Sequence, residues 1–361
     1  MSLTIALDCR PLQENQPTGI AVYTAALKQQ WLDRQDIILN TFTIGRKVPS
    51  GIISSRHKHY QLPGKLFNLL SSANIDYLPK DKEVDFYFLP HPTFWPVRRK
   101  PYVLTVHDLA FIERPYYYAA RQRLWHWRLN LQRLINSAAG IICVSQATKA
   151  RLSRLYPATQ SKPLAVIPEG LSVTSLTAEQ EKNLEVKLKL PSAFLLYTGT
   201  LEPRKNIESL LAAFRLLRPQ YPELHLLLAG KYGWSSRRLE RFWRDDDHIR
   251  WLGYVSDENK TLLYQKARAL VWPSWYEGFG FPPLEAAYWG TPIVASWSTA
   301  LPEILQASAH YINPYNYQEL AACLRQIMQT PRKKPEINAV LSDRHSWQGV
   351  AAETLDFIKS L

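Results

Sequence analysis

Long apolar runs and paired cysteines are both scarce in this chain of 361 residues. No stretch approaches the roughly 20 apolar residues of a membrane-spanning helix, and residues 1–8 lack the basic and apolar parts of a signal peptide. The three cysteines, Cys9, Cys143 and Cys323, are odd in number and far apart. This spacing argues against a disulfide framework and against a cysteine-based zinc site. We therefore expect a cytoplasmic protein in a reducing compartment.

Acidic residues are also in deficit, with 31 Asp and Glu against 44 Lys and Arg, a net charge of +13. Residues 1–170 hold 22 of the basic and 11 of the acidic residues, so nearly all of the excess lies in the first half. Such a half could meet nucleic acid, an anionic membrane or a phosphorylated substrate, or it could be ordinary solvated surface. Because its arginines belong to no recognisable nucleic-acid motif, we predict no nucleic-acid partner. Peripheral attachment to the inner face of a membrane stays open.

Apolar and aromatic residues are plentiful, at 46% hydrophobic with 12 Trp and 19 Tyr, and the length favours two packed domains. Short apolar runs alternate with amphipathic stretches, a pattern typical of doubly wound α/β domains with parallel sheets. Strands are predicted at residues 3–8, 37–44, 84–89, 102–107, 141–145, 164–167, 194–198, 224–229, 249–252, 269–272 and 292–295. The polar stretch 171–191 shows no strand, so we predict domains at 1–170 and 192–345 joined by a linker.

Ligands of such sheets bind beyond the carboxyl ends of the strands. Gly19 follows the first predicted strand and begins a helix, whose free N–H groups could bind an anion, although a plain turn glycine is equally compatible. His107 ends another strand beside Asp108. The imidazole could point toward a substrate, or Asp108 could simply cap the next turn.

Two adjacent cations, Arg204 and Lys205, lie between a predicted strand and the helix 207–217. A cationic pair beside a helix N-terminus suits a diphosphate, which needs both charge and directed donors. An ordinary basic loop is the alternative. The run 245–247, three aspartates in a polar loop, is a weak candidate for a metal site, and we predict no metal there.

The stretch 275–290 carries the most specific pattern in the chain. Glu277 lies in a glycine-rich loop, and Glu285 lies eight residues later inside a helix. That spacing places them on no common helix face, but a loop wrapped around a ligand would put one carboxylate at each end. Carboxylates accept hydrogen bonds from sugar hydroxyls. The rival interpretation is a retaining hydrolase pair, whose carboxylates lie only ~5 Å apart.

Arginines alternate with aromatic residues in the segment 116–136. A basic aromatic helix can lie at an anionic membrane interface, with its Trp side chains at headgroup depth. It can equally well pack on the sheet of a doubly wound domain, and packing is the outcome we expect.

Taken together, the motifs resemble retaining glycosyltransferase family 4 over nearly the whole chain. They are Thr18-Gly19-Ile20, Val106-His107-Asp108, Cys143-Val144-Ser145, Val166-Ile167-Pro168-Glu169-Gly170, Glu202-Pro203-Arg204-Lys205-Asn206, Leu252-Gly253-Tyr254-Val255, Glu277 with Glu285, and His345-Ser346-Trp347. The resemblance implies the GT-B fold of two facing Rossmann-like domains. It also implies that a terminal helix, about 346–361, crosses back to the first domain.

The resemblance assigns roles to the candidate residues. Arg204 and Lys205 would bind the donor diphosphate and neutralise the leaving nucleoside diphosphate. Glu277 would bind hydroxyls of the donor sugar, Glu285 would hold the ribose, and His107 would contact the sugar near the reacting carbon. The backbone at other positions would contact the rest of the donor: Gly19, Tyr254, Val255, Gly278, Phe279, Gly280 and Phe281.

The implied function is transfer of a hexose from a nucleoside-diphosphate sugar to a glycan or lipid-linked acceptor, with retention of anomeric configuration. The family needs no bound metal, so no cofactor is expected. The opening segment is most like bacterial enzymes that make mannose-containing surface polysaccharide, which favours GDP-mannose. In contrast, Phe281-Pro282-Pro283 departs from the family pattern, because many members have smaller aliphatic residues there. The alternatives are a nucleotide-independent GT-B phosphorylase or hydrolase, and a non-catalytic nucleotide or nucleic-acid binder.

Overall fold

A computed structural model of the chain describes residues 2–13, 18–46, 56–76, 78, 81–99, 101–233, 237–331 and 336–361. The chain divides into two compact units. The first comprises Met1–Glu113, Ala120–Gly170 and His345–Leu361. The second comprises Arg114–Ala119 and Leu171–Arg344. Apart from the short segment Arg114–Ala119, the chain therefore crosses from the first unit to the second after Gly170 and returns before His345.

The first unit is built on a parallel sheet that has seven strands over the described residues. These strands are β1 (Leu3–Asp8), β2 (Ile37–Gly45), β3 (His57–Gln61), β4 (Phe86–Leu89), β5 (Tyr102–Val106), β6 (Gly140–Cys143) and β7 (Leu164–Val166). Their order is β3-β2-β1-β4-β5-β6-β7, so the winding direction reverses between β1 and β4. All five residues of β5 are buried, as expected for a central strand covered on both faces.

A six-stranded parallel sheet, again counted over the described residues, forms the second unit. The strands are β8 (Ala193–Thr198), β9 (Leu224–Ala229), β10 (Ile249–Gly253), β11 (Ala269–Trp272), β12 (Ile293–Ser296) and β13 (His310–Ile312). Their order is β10-β9-β8-β11-β12-β13, and the winding reverses between β8 and β11. A crevice for a ligand is expected beyond the carboxyl ends of these two strands.

Helices connect the strands in both units. In the first unit they are α1 (Gly19–Leu32), α2 (Gly64–Ser72), α3 (Ala110–Glu113), α4 (Ala120–Leu129), α5 (Leu131–Ser137) and α6 (Gln146–Leu155). In the second they are α7 (Ala178–Leu188), α8 (Ile207–Leu217), α9 (Arg237–Glu240), α10 (Asp257–Lys266), α11 (Phe281–Tyr288), α12 (Leu301–Leu305), α13 (Tyr317–Gln329) and α14 (Ala339–Arg344). The final helix, α15 (Trp347–Lys359), belongs to the first unit.

Helix α15 packs against α1, which confirms the predicted return of the chain to the first unit. The indole nitrogen of Trp31 in α1 donates a hydrogen bond to the carbonyl of Ala351 at 3.1 Å. At the start of α15 the Trp347 ring lies against Gly170, where a Cβ atom would come within 2.3 Å of the indole. Glycine is therefore required at the residue where the chain leaves the first unit.

Each of the eleven predicted strands matches an observed strand, and two observed strands were not predicted. Both missed strands, β3 and β13, lie at an edge of their sheet. The stretch 171–191 contains α7 and belongs to the second unit. Arg250 of β10 donates hydrogen bonds to the carbonyls of Leu188 and Lys189, so the end of α7 is fixed to that sheet.

The segment 116–136 behaves differently from the predicted packing. Helix α5 does pack into the core, through Leu131, Leu134 and Ile135. Helix α4 buries only Leu129, and Trp127 in the same helix is 78% exposed. The expectation of packing is therefore wrong for α4, because its arginines leave too few apolar residues on any one face to form a buried stripe. No helix in the described part of the chain has the length and apolar character to cross a bilayer.

Candidate functional site

The two cations of the second unit, Arg204 and Lys205, lie in a short 3-10 turn between β8 and α8. The turn ends at Asn206, whose backbone adopts the left-handed conformation with φ +56°. The Asn206 side-chain amide donates to the carbonyls of Pro273 and Pro314 at 3.0 and 2.9 Å. One side chain thus joins the loops that follow β8, β11 and β13, and it fixes the cations at the carboxyl edge of the sheet.

Glu277 lies against these cations. Its Oε1 accepts hydrogen bonds from Lys205 Nζ at 2.7 Å and from the indole nitrogen of Trp272 at 2.9 Å. Its Oε2 lies 3.4 Å from Nη1 of Arg204. The Lys205 ammonium also sits 4.8 Å from the centre of the Trp272 ring, which stacks on Tyr197. A buried carboxylate, a buried ammonium and an indole therefore form one contiguous cluster.

Burial and charge oppose each other in this cluster. Burial alone would raise the pKa of Glu277, but the charges of Lys205 and Arg204 hold that pKa below its ordinary value. Burial, together with the neighbouring Arg204, lowers the pKa of Lys205. Arg204 forms a further ion pair with Glu202 at 2.5 Å. Glu277 is therefore held ionised, as an acceptor of hydrogen bonds.

The loop that follows Glu277 leads into α11. Gly280 is the N-cap of that helix, with φ +104°, and a Cβ there would approach Leu301 to 2.8 Å. Both the backbone conformation and the available space therefore require glycine. The Glu277 N–H donates to the hydroxyl of Thr299 at 2.8 Å, so the loop start is anchored. Gly278, Phe279 and Gly280 thus form the loop between Glu277 and α11, and Phe281 is the first residue of that helix.

Glu285 belongs to a second network, on the face that α11 turns toward α10. Lys260 Nζ donates to both of its carboxylate oxygens, at 2.9 and 3.1 Å. Tyr264 donates to Oε2 at 2.7 Å, and its hydroxyl also lies 3.0 Å from Thr198 at the end of β8. Among the contacts of the described residues, Glu277 and Glu285 share no hydrogen-bond partner.

Tyr254 and Val255 lie in the turn between β10 and α10. The turn starts after Gly253, which has φ +68° and accepts a hydrogen bond from the Gly230 N–H at 2.7 Å. Tyr254 is exposed and Val255 is partly exposed. Their backbone groups are accordingly open to a ligand at the carboxyl edge of the sheet.

In the first unit, His107 follows β5 and both of its ring nitrogens have partners. Nδ1 lies 2.6 Å from Oε1 of Glu169, and Nε2 lies 2.6 Å from the carbonyl oxygen of Pro90. Burial would lower the pKa of His107, but the Glu169 carboxylate and these hydrogen bonds raise it above its ordinary value. Gly19 is the exposed first residue of α1 in the same unit.

The structure thus brings together Arg204, Lys205 and Glu277, and places Glu285 in a neighbouring network of the same unit. His107 and Gly19 belong to the other unit. Five residues with clear contacts were not singled out from the sequence: Glu169, Asn206, Lys260, Tyr264 and Trp272. Only Glu169 and Asn206 lie in the motifs that carry the family resemblance. In the sequence, Lys260 and Tyr264 look like ordinary helix positions.

The aspartates at 245–247 have a local structural role. Asp246 Oδ1 accepts from the N–H of His248 at 3.0 Å, which closes the turn before β10. Within the described residues, no group of three or more His, Cys, Asp or Glu side chains is arranged to hold a metal ion.

Two parallel α/β units, with a cationic loop and a buried glutamate at the carboxyl edge of the second sheet, match the arrangement expected of a nucleotide-sugar-dependent glycosyltransferase of the GT-B fold. Residues 17–175 match the family model described as Glycosyltransferase Family 4, and residues 179–340 match the model described as Glycosyl transferases group 1. The chain belongs to this family, and it is a hexosyltransferase.

Several relatives are named mannosyltransferases, and a glycogen synthase of Mycobacterium tuberculosis also matches part of the chain. The O-antigen chain mannosyltransferase B of Escherichia coli is 32% identical over 288 residues, which cover 76% of this chain and 73% of that protein. The serotype-specific mannosyltransferase WbdA of Escherichia coli is 26% identical over 262 residues, which cover 69% of this chain but 32% of the much longer WbdA.

Solved structures share the fold at low sequence identity. Sucrose-phosphate synthase from Thermosynechococcus elongatus aligns with a TM-score of 0.77 at 21% identity, covering 99% of this chain and 98% of that one. Anabaena HepE, solved in complex with UDP-glucose, aligns with a TM-score of 0.74 at 16% identity, covering 99% of this chain and 100% of that one. Two Rossmann-like domains of the GT-B type, as predicted, are thereby confirmed.

Proposed function

We propose that this protein transfers mannose from GDP-mannose to a glycan or lipid-linked acceptor, with retention of the anomeric configuration. The main support for this proposal is the buried cluster of Lys205, Glu277 and Trp272 beside Arg204. The mannosyltransferases among the relatives support mannose as the sugar.

The cations act on the leaving group. Arg204 and Lys205 would bind the donor diphosphate and stabilise the charge that develops on the nucleoside diphosphate as the glycosidic bond breaks. Because their carboxylate partners Glu202 and Glu277 balance their charge, backbone N–H groups of the glycine-rich loop before α11 would supply further donors to the phosphates, since Pro282 and Pro283 in the first turn of α11 carry none. No metal ion is required for this task in the proposal.

Glu277 would position the sugar instead of attacking it. Its Oε1 already accepts from Lys205 and Trp272, which fixes the carboxylate plane and leaves further lone pairs for sugar hydroxyls. Glu285 would accept the ribose hydroxyls, with Lys260 and Tyr264 holding its carboxylate in place. Tyr254 and Val255 would contact the base.

Donor identity is tested by incubating the purified protein with GDP, UDP and ADP in a thermal-shift assay. GDP at 100 times its Kd should stabilise the fold by about 2.7 kcal/mol. GDP-mannose should then support transfer, and NMR of the product should reveal the α-anomer, as in the donor. Stabilisation by UDP or ADP but not by GDP would overturn the choice of nucleotide, and a β-linked product would overturn retention.

Removal of the Lys205 ammonium or of the Glu277 carboxylate tests the residue roles. Lys205→Ala and Glu277→Ala should each lower kcat by about 10²–10³-fold, because each removes a preorganised charge. Lys182→Ala, an exposed lysine on α7, is the matched control and should leave kcat unchanged. Wild-type rates in either site variant would contradict the assignment.

Activity that survives an excess of EDTA is also expected, and its loss would overturn metal independence.

An exposed aromatic and basic surface favours a second property, binding to an anionic membrane. On α4, Leu124 and Trp127 are 57% and 78% exposed, and they alternate with exposed arginines at 121, 123 and 128. In the same unit, α2 exposes Leu66 and Leu69. Apolar side chains ringed by cations suit insertion among anionic lipid headgroups.

Sedimentation with phosphatidylglycerol vesicles tests this surface. We expect binding at low salt that weakens as salt rises, because surface charge attraction is screened. The double variant Leu124→Ala/Trp127→Ala should bind less, whereas Val186→Ala, an exposed apolar residue on α7, should bind like the wild type. No sedimentation of the wild type at low salt would refute membrane binding.

A further inference from the structure

His107 has an unusual set of partners for a histidine expected to touch a substrate. A neutral imidazole carries one N–H and one bare nitrogen. Here both nitrogens lie 2.6 Å from oxygen atoms, one of the Glu169 carboxylate and one of the Pro90 carbonyl. A backbone carbonyl only accepts, and so does an ionised carboxylate. With Glu169 ionised, both ring nitrogens donate, which makes His107 an imidazolium in this arrangement.

Glu169 is well placed to hold that charge. It is 2% exposed and directly precedes Gly170, where the chain leaves the first unit. Its carbonyl accepts a hydrogen bond from Nδ1 of His345 at 3.2 Å, and His345 is the first residue after the chain returns. The side chain of Glu169 thus bonds to His107, while its backbone bonds to the other crossing point.

Packing closes the same group of residues into a ring. The Trp347 indole lies against Gly170 and meets Tyr23 at 5.9 Å between ring centres. Tyr23 in turn contacts the His107 ring edge to face at 5.0 Å. From His107 through Glu169, Gly170, Trp347 and Tyr23 back to His107, each residue touches or is bonded to the next. The orientation of the imidazole is therefore set by both segments that connect the units.

Among the described residues, four titratable groups face His107, and Glu169 is the one that pairs with its charge. They are Glu169, His91, Asp108 and Tyr23. Burial lowers the pKa of His91 to about 4, so this ring is neutral near pH 7. Burial raises the pKa of Tyr23, which also stays neutral. Asp108 Oδ1 is turned to its own loop, where it accepts from the Ala110 N–H at 3.0 Å.

We propose that Glu169 is a positioning residue that keeps His107 as a fixed imidazolium, so that His107 acts on the donor through its positive charge and not as a hydrogen-bond donor. The inference rests on the proposed function for its catalytic consequence. Its structural part, the protonated pair, stands by itself. With both N–H groups committed to Glu169 and Pro90, a positive charge is what the ring can offer a diphosphate or a departing phosphate oxygen.

The His107–Glu169 pair determines the direction in which activity should change with pH. A histidine whose pKa is raised keeps its proton above the ordinary value of about 6.5 and loses it as the pH rises through the folded-state pKa. Activity that depends on the imidazolium should therefore fall on the alkaline side. Glu169→Gln removes the negative charge but can still accept a hydrogen bond, so it should lower the pKa of His107 by about one to two pH units.

Histidine NMR on the ¹⁵N-labelled full-length protein tests the pair without any need for activity. The signal absent from a His107→Gln variant identifies His107. We expect its pKa to lie above 6.5 in the wild type and to fall in Glu169→Gln. Glu83→Gln, an exposed carboxylate of the same unit, should leave it unchanged. A wild-type pKa at or below 6.5 would overturn the proposal even if Glu169→Gln failed to fold.

Kinetics then test the consequence for transfer. The alkaline limb of the kcat profile should move to lower pH in Glu169→Gln, by the same amount as the NMR pKa, with little change in donor KM. Glu169→Asp, which restores the charge, should move it back toward the wild type. An unmoved limb alongside a lowered NMR pKa would refute the catalytic role. Absence of transfer by the wild type with every donor would refute the proposed function and leave the NMR result valid.

Discussion

At the residue scale, the candidate site depends on how each charge is held. The sequence predicted Arg204, Lys205 and Glu277, because two cations after a strand and a carboxylate in a glycine-rich loop are recognisable from their local neighbours. It could not predict the role of Lys260, because Lys260 in α10 and its partner Glu285 in α11 are 25 positions apart in the chain. Glu169 lies in a quoted motif, but its bond to His107 spans 62 positions.

Lys260 yields a test at this scale. Burial would lower the pKa of Lys260, but the Glu285 carboxylate raises it, so the lysine is charged beside the glutamate expected to hold the ribose. Lys260→Met removes both hydrogen bonds and leaves the buried carboxylate without its counter-charge. We expect the donor KM to rise about tenfold, the equivalent of ~1.4 kcal/mol of binding, with kcat little changed.

Steady-state kinetics with varied donor measure this effect. Asp257→Asn is the matched control, because Asp257 also pairs with Lys260, at 3.1 Å, but is largely exposed. It should leave the donor KM within about twofold of the wild type, since exposed ion pairs contribute little. A Lys260→Met enzyme with an unchanged donor KM would show that Glu285 needs no cation to bind ribose.

At the scale of elements, periodicity located every central strand and the edge strands β7 and β10, and it missed the opposite edge strand of each sheet, β3 and β13. A central parallel strand such as β5 is buried on both faces and reads as an apolar run. Strand β3 has the sequence His-Lys-His-Tyr-Gln and no fully buried residue, so no hydrophobic signal marks it. Strand β13 is only three residues long, which is too short to show a periodic pattern of apolar residues. Their positions follow from backbone pairing with β2 and β12, which sequence patterns do not contain.

The contact between α15 and Gly170 gives a test for this element. Gly170→Ala would place a Cβ at 2.3 Å from the Trp347 indole, a rigid ring that is itself buried. Such overpacking should destabilise the first unit by about 1–3 kcal/mol. Thermal unfolding followed by circular dichroism should show a lower Tm. Gly64→Ala, where no atom lies within 4 Å of the added carbon, is the control and should leave the Tm equal or slightly higher.

At the scale of the whole molecule, the sequence predicted two parallel α/β units because both halves repeat the alternation of strand and helix. The sequence also showed how the basic charge is divided, with nearly all of its excess in residues 1–170. The hydrogen bond from Trp31 to Ala351, which joins positions 320 apart, was beyond local patterns. Only the family resemblance predicted that α15 would return to the first unit.

Truncation before α15 tests how far the first unit depends on it. Removing residues 345–361 exposes the partners of five buried apolar side chains, Trp347, Val350, Ala351, Leu355 and Ile358. At about 1.5–3 kcal/mol for each large side chain, this loss is comparable to the whole stability of a domain. We expect hydrogen exchange to show an unprotected first unit and a protected second unit. Removing only residues 360–361 should preserve both, and protection of the first unit in the long truncation would contradict this dependence.

The return of α15 also sets an order of events during synthesis. Domains made first on the ribosome generally fold first. In this protein the first unit lacks the helix that covers α1 until residues 347–359 have emerged, whereas all of the second unit precedes them. The nascent chain can therefore complete its second unit while α1 and Trp31 are still exposed, because α15 has not yet been synthesised. Chaperones that bind exposed apolar helices would meet the N-terminal half of this enzyme until residues 347–359 have emerged.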